Sequence, residues 1–226
     1  EMAVRHGNRG FRGLIDLHFS GAAGQSFGAF CLSGLNLRLE GEANDYVGKG
    51  QNGGRLVVVP AKGVHDPSNQ VILGNTCLYG ATGGELFALG CAGERFGVRN
   101  SGARAVIEGA GDHCCEYMTG GVIAVIGPTG RNVAAGMTGG LAFILDEEGQ
   151  LERRVNHEIV SLHDLSTPEQ DALLRPLLED HLTATASPRA AATLSDWPRW
   201  RALFKVLVPP SERQAAGLVE RQQVAA

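Results

Sequence analysis

Short runs in which apolar and polar positions alternate with period two recur along this chain. Counted from a Gly, Ser, Asn or Thr, seven such runs start at Gly13, Ser33, Asn52, Thr82, Ser101, Thr119 and Thr138. Successive starts lie 20, 19, 30, 19, 18 and 19 residues apart. A fixed period with one longer interval is the mark of a solenoid carrying a single insertion. With each start as position one, the fifth position holds Leu17, Leu37, Leu56, Leu86, Ala105, Ile123 and Ala142, and the seventh holds Phe19, Leu39, Val58, Ala88, Ile107, Val125 and Ile144. Every one of these is apolar. The sixth position of the first runs holds His18 and Arg38, and the fourth holds Asn36, Arg55, Glu85 and Arg104. This is the signature of strands with one buried face. Stacked at the ~4.8 Å strand spacing, seven coils make a rod roughly 30 Å long. Parallel strands joined by crossovers coil right-handed. The pattern predicts an all-β solenoid: a right-handed β-helix of about seven coils over residues 1–155.

The paired glycines Gly53 and Gly54, Gly83 and Gly84, Gly120 and Gly121, and Gly139 and Gly140 enter strands just after a corner. Positive φ at a turn, or a close approach of neighbouring coils, is the structural use of glycine there. Phosphate-cradling loops share only the glycine content, since neither the Lys-Ser/Thr of a P-loop nor the strand, helix and acid of a dinucleotide fingerprint follows. The long interval places residues 60–70 as a surface insertion.

From about Asn156 the period changes. Thr167-Pro168-Glu169-Gln170 is an N-cap, a first-turn proline and a capping-box glutamine, and Leu173, Leu174, Leu177, Leu178 and Leu182 follow at helical spacing. Ser187-Pro188 opens a second short helix through Leu194, and residues 197–208 are apolar enough to need a surface. Val122 and Leu141 turn the outward fourth position apolar in the last two coils. Residues 156–226 are therefore predicted to be a short, mainly α-helical extension packed on those coils, fraying from about Ala215.

Composition narrows the function classes. A formal charge of -4 and a pI near 6.0 give no electrostatic footprint for nucleic acid. No apolar run approaches the ~20 residues of a membrane span, and no signal-peptide layout opens the chain. Glycine, at 32 residues, is about twice its usual share. Five cysteines, Cys31, Cys77, Cys91, Cys114 and Cys115, without a C-x-x-C pair fit reduced thiols and a cytoplasmic location. The opening Glu1-Met2 suggests a piece of something longer.

Chemistry could reside in the polar connections at residues 42–50, 93–100, 108–117 and 130–132, where carboxylates, His and Arg gather on one edge. Asn and Asp equally serve as corner residues that stack and hydrogen-bond between coils. Asp112-His113-Cys114-Cys115-Glu116 has metal-ligand types, but neighbours on a strand point to opposite faces and no second pair completes a tetrahedron. Cys31, Cys77 and Cys91 are expected as small buried apolar residues, and the five cysteines lack the clustering of an iron–sulfur site. No catalytic, cofactor-binding or metal-ligating residue is assigned.

Residues 20–30 (SGAAGQSFGAF), 41–50 (GEANDYVGKG), 78–84 (LYGATGG), 92–102 (AGERFGVRNSG), 111–113 with 116–121 (EYMTGG), and 127–140 resemble the C-terminal glycine-repeat (GXGXG) domain of the glutamate synthase large subunit. The likeness runs from about Gly10 to Asn156, and His157 to Val160, Ser187 to Ala190 and Phe204 to Val206 are similar to that subunit's last segment. The resemblance implies a seven-coil β-helix that ties together the amidotransferase and FMN-binding domains of an enzyme making two glutamates from glutamine and 2-oxoglutarate. FMN and an iron–sulfur cluster are then expected in the parent enzyme and none in this chain. Its partners are those domains, with room for a small glutamate synthase subunit. Two alternatives stand beside it. One is a free-standing subunit of a related assembly, of the N-methylglutamate synthase or formylmethanofuran dehydrogenase type. The other is a β-helix carbohydrate enzyme using the polar edge as a groove.

Overall fold

The computed structural model describes residues 2–7 and 10–218, and the alternating runs are the rungs of a β-solenoid of about seven turns. After a short helix α1 (Met2–His6), one face is built from β1 (Ile15–Ala22), β2 (Leu35–Glu42), β3 (Asn52–Val59), β5 (Gly83–Ala88), β7 (Ser101–Ile107), β9 (Thr119–Val125) and β10 (Gly139–Leu145), all parallel to their neighbours. A second, narrower face consists of β4 (Val71–Leu73), β6 (Cys91–Ala92) and β8 (Gly109–Ala110), extended by single bridges at Ala43 and Thr129. The fifth-position residues are register partners from coil to coil, Leu17 on Leu37 through Ile123 on Ala142. With the seventh position they line one apolar interior from Leu37 to Leu207.

The third side of each coil is an arc of turns with a regular conformation. Left-handed residues occur at every second place: Tyr46, Gly48 and Gly50 in one arc, Thr76, Leu78 and Gly80 in the next, then Arg95, Gly97 and Arg99, and His113, Cys115 and Tyr117. Left-handed backbone costs a non-glycine residue roughly 1–2 kcal/mol. Alternation offsets this by turning successive N–H groups to opposite sides. Tyr46, Thr76, Arg95 and His113 donate forward to Asn75, Glu94, Asp112 and Arg131 carbonyls at 2.8–2.9 Å, while Leu78, Gly97, Cys115 and Ala134 donate back to Val47, Cys77, Phe96 and Cys114 at 2.7–3.0 Å. The arcs thus carry a hydrogen-bond ladder of their own, as strands do.

Gly121 has φ +84°, and a Cβ there would stand 2.3 Å from the Ala103 carbonyl oxygen of the previous coil. At Gly120 a Cβ would meet the Ser101 carbonyl oxygen at 2.4 Å.

The insertion runs over the surface, with residues 61–66 exposed, but its 3₁₀ turn Pro67–Asn69 tucks Ser68 inside. The C-terminal segment departs further from the sequence expectation. After α2 (Leu151–Arg154) at the end of the solenoid, it holds α3 (Pro168–Thr185), α4 (Pro188–Ser195) and α5 (Trp197–Arg201), and also two strands, β11 (Ser161–Asp164) and β12 (Phe204–Val208). β12 pairs antiparallel with β10, and β11 with β12, so the extension lengthens the sheet as well as lying on it. The capping box forms at Thr167 and Gln170, and Leu174, Leu177 and Leu178 are fully buried.

The face that α3 covers is broader than Val122 and Leu141 suggest. It is the sixth position, Val57, Phe87, Val106, Ala124 and Phe143, that is buried against the extension from the third coil onward. Arg38 of the second coil reaches the end of α3, its Nη1 donating to the Ala184 carbonyl at 2.7 Å, where a cation suits the helix C-terminus. In the fourth position Arg55 and Arg104 both pair with Glu85, and Arg104 with Asp180 of α3. Ala216 is buried in this second core and accepts from Thr167 and Gln170, so the chain does not fray at Ala215; residues 219–226 lie outside the described residues. Burial of Ala216 is what the expectation missed, since a lone small residue carries no periodicity.

Gly121→Val is expected to cost at least about 2 kcal/mol, because a branched side chain is both strained at positive φ and driven into a backbone oxygen. Urea unfolding checks this; an unchanged midpoint contradicts it.

Candidate functional site

Among the described residues, three places that gather polar side chains are candidates. The first is the edge formed by the arcs, where the sequence concentrates its acids and bases. There Asp45 Oδ1 accepts from the Asn75 N–H at 2.8 Å, Asn75 Oδ1 from the Glu94 N–H at 2.8 Å, and Asp112 Oδ1 from the Arg131 N–H at 2.7 Å. Each side chain binds the backbone one coil on. The backbone hydrogen bond from Arg131 is the main reason that the Asp112 carboxyl lies below its ordinary range. His113 contacts Asn132 at 3.0 Å and Glu116 at 3.6 Å, and Asn132 Oδ1 accepts from Asn156 at 3.0 Å. Asp45, Asn75 and Asp112 each precede a left-handed residue, and the left-handed places take Tyr46, Thr76, Arg95, His113 and Asn132. Along this edge the Asp45, Asn75 and Asp112 side chains are engaged in a ladder of inter-coil hydrogen bonds, while Glu116 Oε2 is buried without a hydrogen-bond partner.

Asp112 to Glu116 does not follow the strand geometry assumed from sequence. Cys115 is left-handed, which turns both Cys114 and Cys115 inward, their sulfurs 3.7 Å apart in the apolar interior. All five cysteines are free thiols. Burial pushes Cys77 up to about 12 and raises Cys31 and Cys91 as well, so these three are not poised as thiolates. Cys91 is only half-buried. Among the described residues no three His, Cys, Asp or Glu side chains come together as a metal site.

The second place is a cavity of about 320 Å3 between the last coils and the extension, lined by Asn69, Thr129, Asp146, Glu147, Glu148, Arg154 and Arg189 among others. Its charges are committed. Arg154 pairs with Glu148 at 3.0 Å; Arg189 holds the Ile126 carbonyl at 3.0 Å and Glu147 at 3.4 Å; Asp146 accepts the N–H groups of Gln150 and Leu151.

The third place was not singled out from sequence. Glu108, His181 and Ser187 are fully buried together where the fifth coil, α3 and α4 meet. His181 Nε2 lies 3.2 Å from Glu108 Oε1, and the Ser187 hydroxyl donates to the same oxygen while accepting the Ala190 N–H that caps α4. The residue types are those of a nucleophile, base and acid. The arrangement is not, because serine and histidine share one carboxylate oxygen and neither has access to solvent. Burial pushes the Glu108 carboxyl up, and hydrogen bonds from His181, Ser187 and Ser68 more than reverse this, leaving it below its ordinary value of 4.5. The carboxylate therefore fastens α3 and α4 to one corner through Oε1, while Oε2 is buried without a hydrogen-bond partner. A signal existed: the eighth position otherwise reads Val59, Leu89, Ile126 and Leu145 in the covered coils, so an acid there sits in an apolar column.

Comparison with known proteins places this geometry. The family model described as the GXGXG motif matches residues 1–210. The chain belongs to the GXGXG motif family. The chain is also 57% identical over 215 residues to ferredoxin-dependent glutamate synthase 2 of Synechocystis sp., 58% over 212 residues to ferredoxin-dependent glutamate synthase of Pyropia yezoensis, and 55% over 212 residues to the chloroplastic ferredoxin-dependent glutamate synthase of Spinacia oleracea. These alignments cover 93–95% of this chain and 13–14% of the relatives. The chain thus spans about a seventh of their length. The resemblance to glutamate synthase drawn from the glycine-rich runs holds, and the GXGXG repeat is the stack of strand entries and arcs described above. No helix among the described residues is long and apolar enough to cross a membrane.

A carboxyl held below its ordinary value stabilises the fold above that range, and the contribution is lost as pH falls through the folded value. Glu108→Gln is therefore expected to flatten the loss of stability below about pH 4.5. Urea midpoints from pH 6 to pH 3 check this; an acid limb as steep as wild type contradicts it.

Proposed function

We propose that this chain is the glycine-repeat scaffold domain of a ferredoxin-dependent glutamate synthase, the enzyme that makes two glutamates from glutamine and 2-oxoglutarate. It joins the amidotransferase and FMN-binding domains of that polypeptide and carries no catalytic residue of its own. FMN, the iron–sulfur cluster and the site of electron entry belong to the other domains, and the whole works in the soluble compartment of the cell, the cytoplasm in a bacterium.

The observation that carries this reading is the alignment of nearly the whole chain, at 57% identity, with only 14% of a glutamate synthase. The geometry supports it: Asp45 and Asp112 are tied into inter-coil hydrogen bonds, Glu147 is paired with Arg189, and Cys31, Cys77, Cys114 and Cys115 lie in the apolar interior. The paired glycines at 53–54, 83–84, 120–121 and 139–140 serve as coil corners in this scheme. We take residues 1–155 as the solenoid and residues 156–226 as an extension whose apolar side is completed by the coils. A groove that cleaves carbohydrate is disfavoured on the polar edge, where Asp45 and Asp112 are held by backbone N–H groups of the next coil.

Residues 1–226 supplied with glutamine, 2-oxoglutarate, FMN and reduced ferredoxin are expected to form no glutamate and to release no ammonia from glutamine. Glutaminase activity or flavin reduction by this chain alone contradicts the scaffold reading.

A further inference from the structure

The two ends of the solenoid are finished differently. At the C-terminal end β12 pairs with the free edge of β10, and Leu151, Val155, Val160 and Leu207 close the interior. At the other end β1 pairs with β2 alone, and among the described residues no strand lies on its outer edge. All eight residues of β1 are exposed. The interior positions Leu17 and Phe19 are 41% and 44% exposed, whereas their register partners one coil on, Leu37 and Leu39, are 9% and 1%. Phe30 and Leu14 add 67% and 65% exposed side chains nearby. The arc repeats the same state. Gly48 donates back to Phe27 of the first coil at 2.9 Å, but among the described residues no coil precedes Gly28, at the equivalent place.

An open parallel edge above an uncovered apolar interior is a template for another strand, and proteins cover such edges. The remainder of the relatives, about six times the length that this chain matches, supplies an occupant. We infer that the first coil is an interdomain interface, covered in the intact glutamate synthase chain by another domain of the same polypeptide that lays a strand or extended segment along β1 and drives apolar side chains onto Leu17 and Phe19. The inference rests on the scaffold reading above and names the surface through which the scaffold grips its neighbour.

The test uses the intact polypeptide that contains this sequence. Amide exchange across residues 15–22 is followed at several protein concentrations, with hydroxyl-radical oxidation of Phe19 alongside. Exchange in β1 within about tenfold of that in β2, independent of concentration, and a Phe19 as resistant as the buried Phe87, is the expected result. Exchange of β1 at the rate of an open edge overturns the interface. Protection that appears only as a dimer forms overturns it too, in favour of a second copy of the chain. In the same polypeptide Phe19→Asp is expected to expose residues 14–22 to exchange and to add protease cleavage between this region and its neighbour, with β7 to β10 unchanged and Phe19→Leu silent. Separation of the domains with undiminished glutamine-dependent glutamate synthesis leaves the interface standing and removes the scaffold role. An open β1 in an enzyme whose domains still depend on this region does the reverse.

Discussion

A coil of this chain cannot bury its own interior. Each turn contributes inward side chains from its strand and up to three from its arc, such as Cys114, Cys115 and Met118, and these are covered only when the next turn lies about 4.8 Å away with the same register. The rest of the structure follows from that dependence. The corners admit glycine because the backbone of one coil passes within van der Waals distance of the next, as at Gly120 and Gly121. The arcs alternate left- and right-handed residues because only then do their N–H and C=O groups reach both neighbours. The acids and amides of the polar edge are recruited to the same task, each accepting from a backbone N–H one coil on.

Stacking also explains why the extension matters. The last coil has no successor, and the extension completes it with β12 on its edge, while α3 lies across the outer face of the third to sixth coils. The sixth-position column grows apolar where α3 begins to cover it; from Arg38, which meets the end of α3, to Val57 and Phe87 beneath it, the change is one of partner rather than of fold. Glu108, His181 and Ser187 fasten this arrangement at one buried point, and their chemistry is that of a clasp.

The inward columns were legible because they repeat: Leu37, Leu56 and Leu86 occupy equivalent places at a nearly fixed spacing, and register follows from the spacing. The capping box of α3 was legible for the same reason, as a local pattern with a local cause. Features that depend on distant partners were not. β11 and β12 are too short for periodicity to declare them, and β12 is a strand only because β10 offers an edge. Cys114 and Cys115 both face inward because Cys115 is left-handed, a conformation that no residue type at that place announces. Glu108 was visible only as a break in an apolar column, and its meaning required the helix that meets it.

The central claim is that the last coils and the extension form one cooperative unit closed by β12. Residue-resolved native-state amide exchange in dilute denaturant measures this directly. The account predicts that amides of β9, β10, β12 and α3 open together, with a common free energy and a common denaturant dependence. Opening of β12 and α3 at a distinctly lower free energy, while β9 and β10 stay protected, would contradict it.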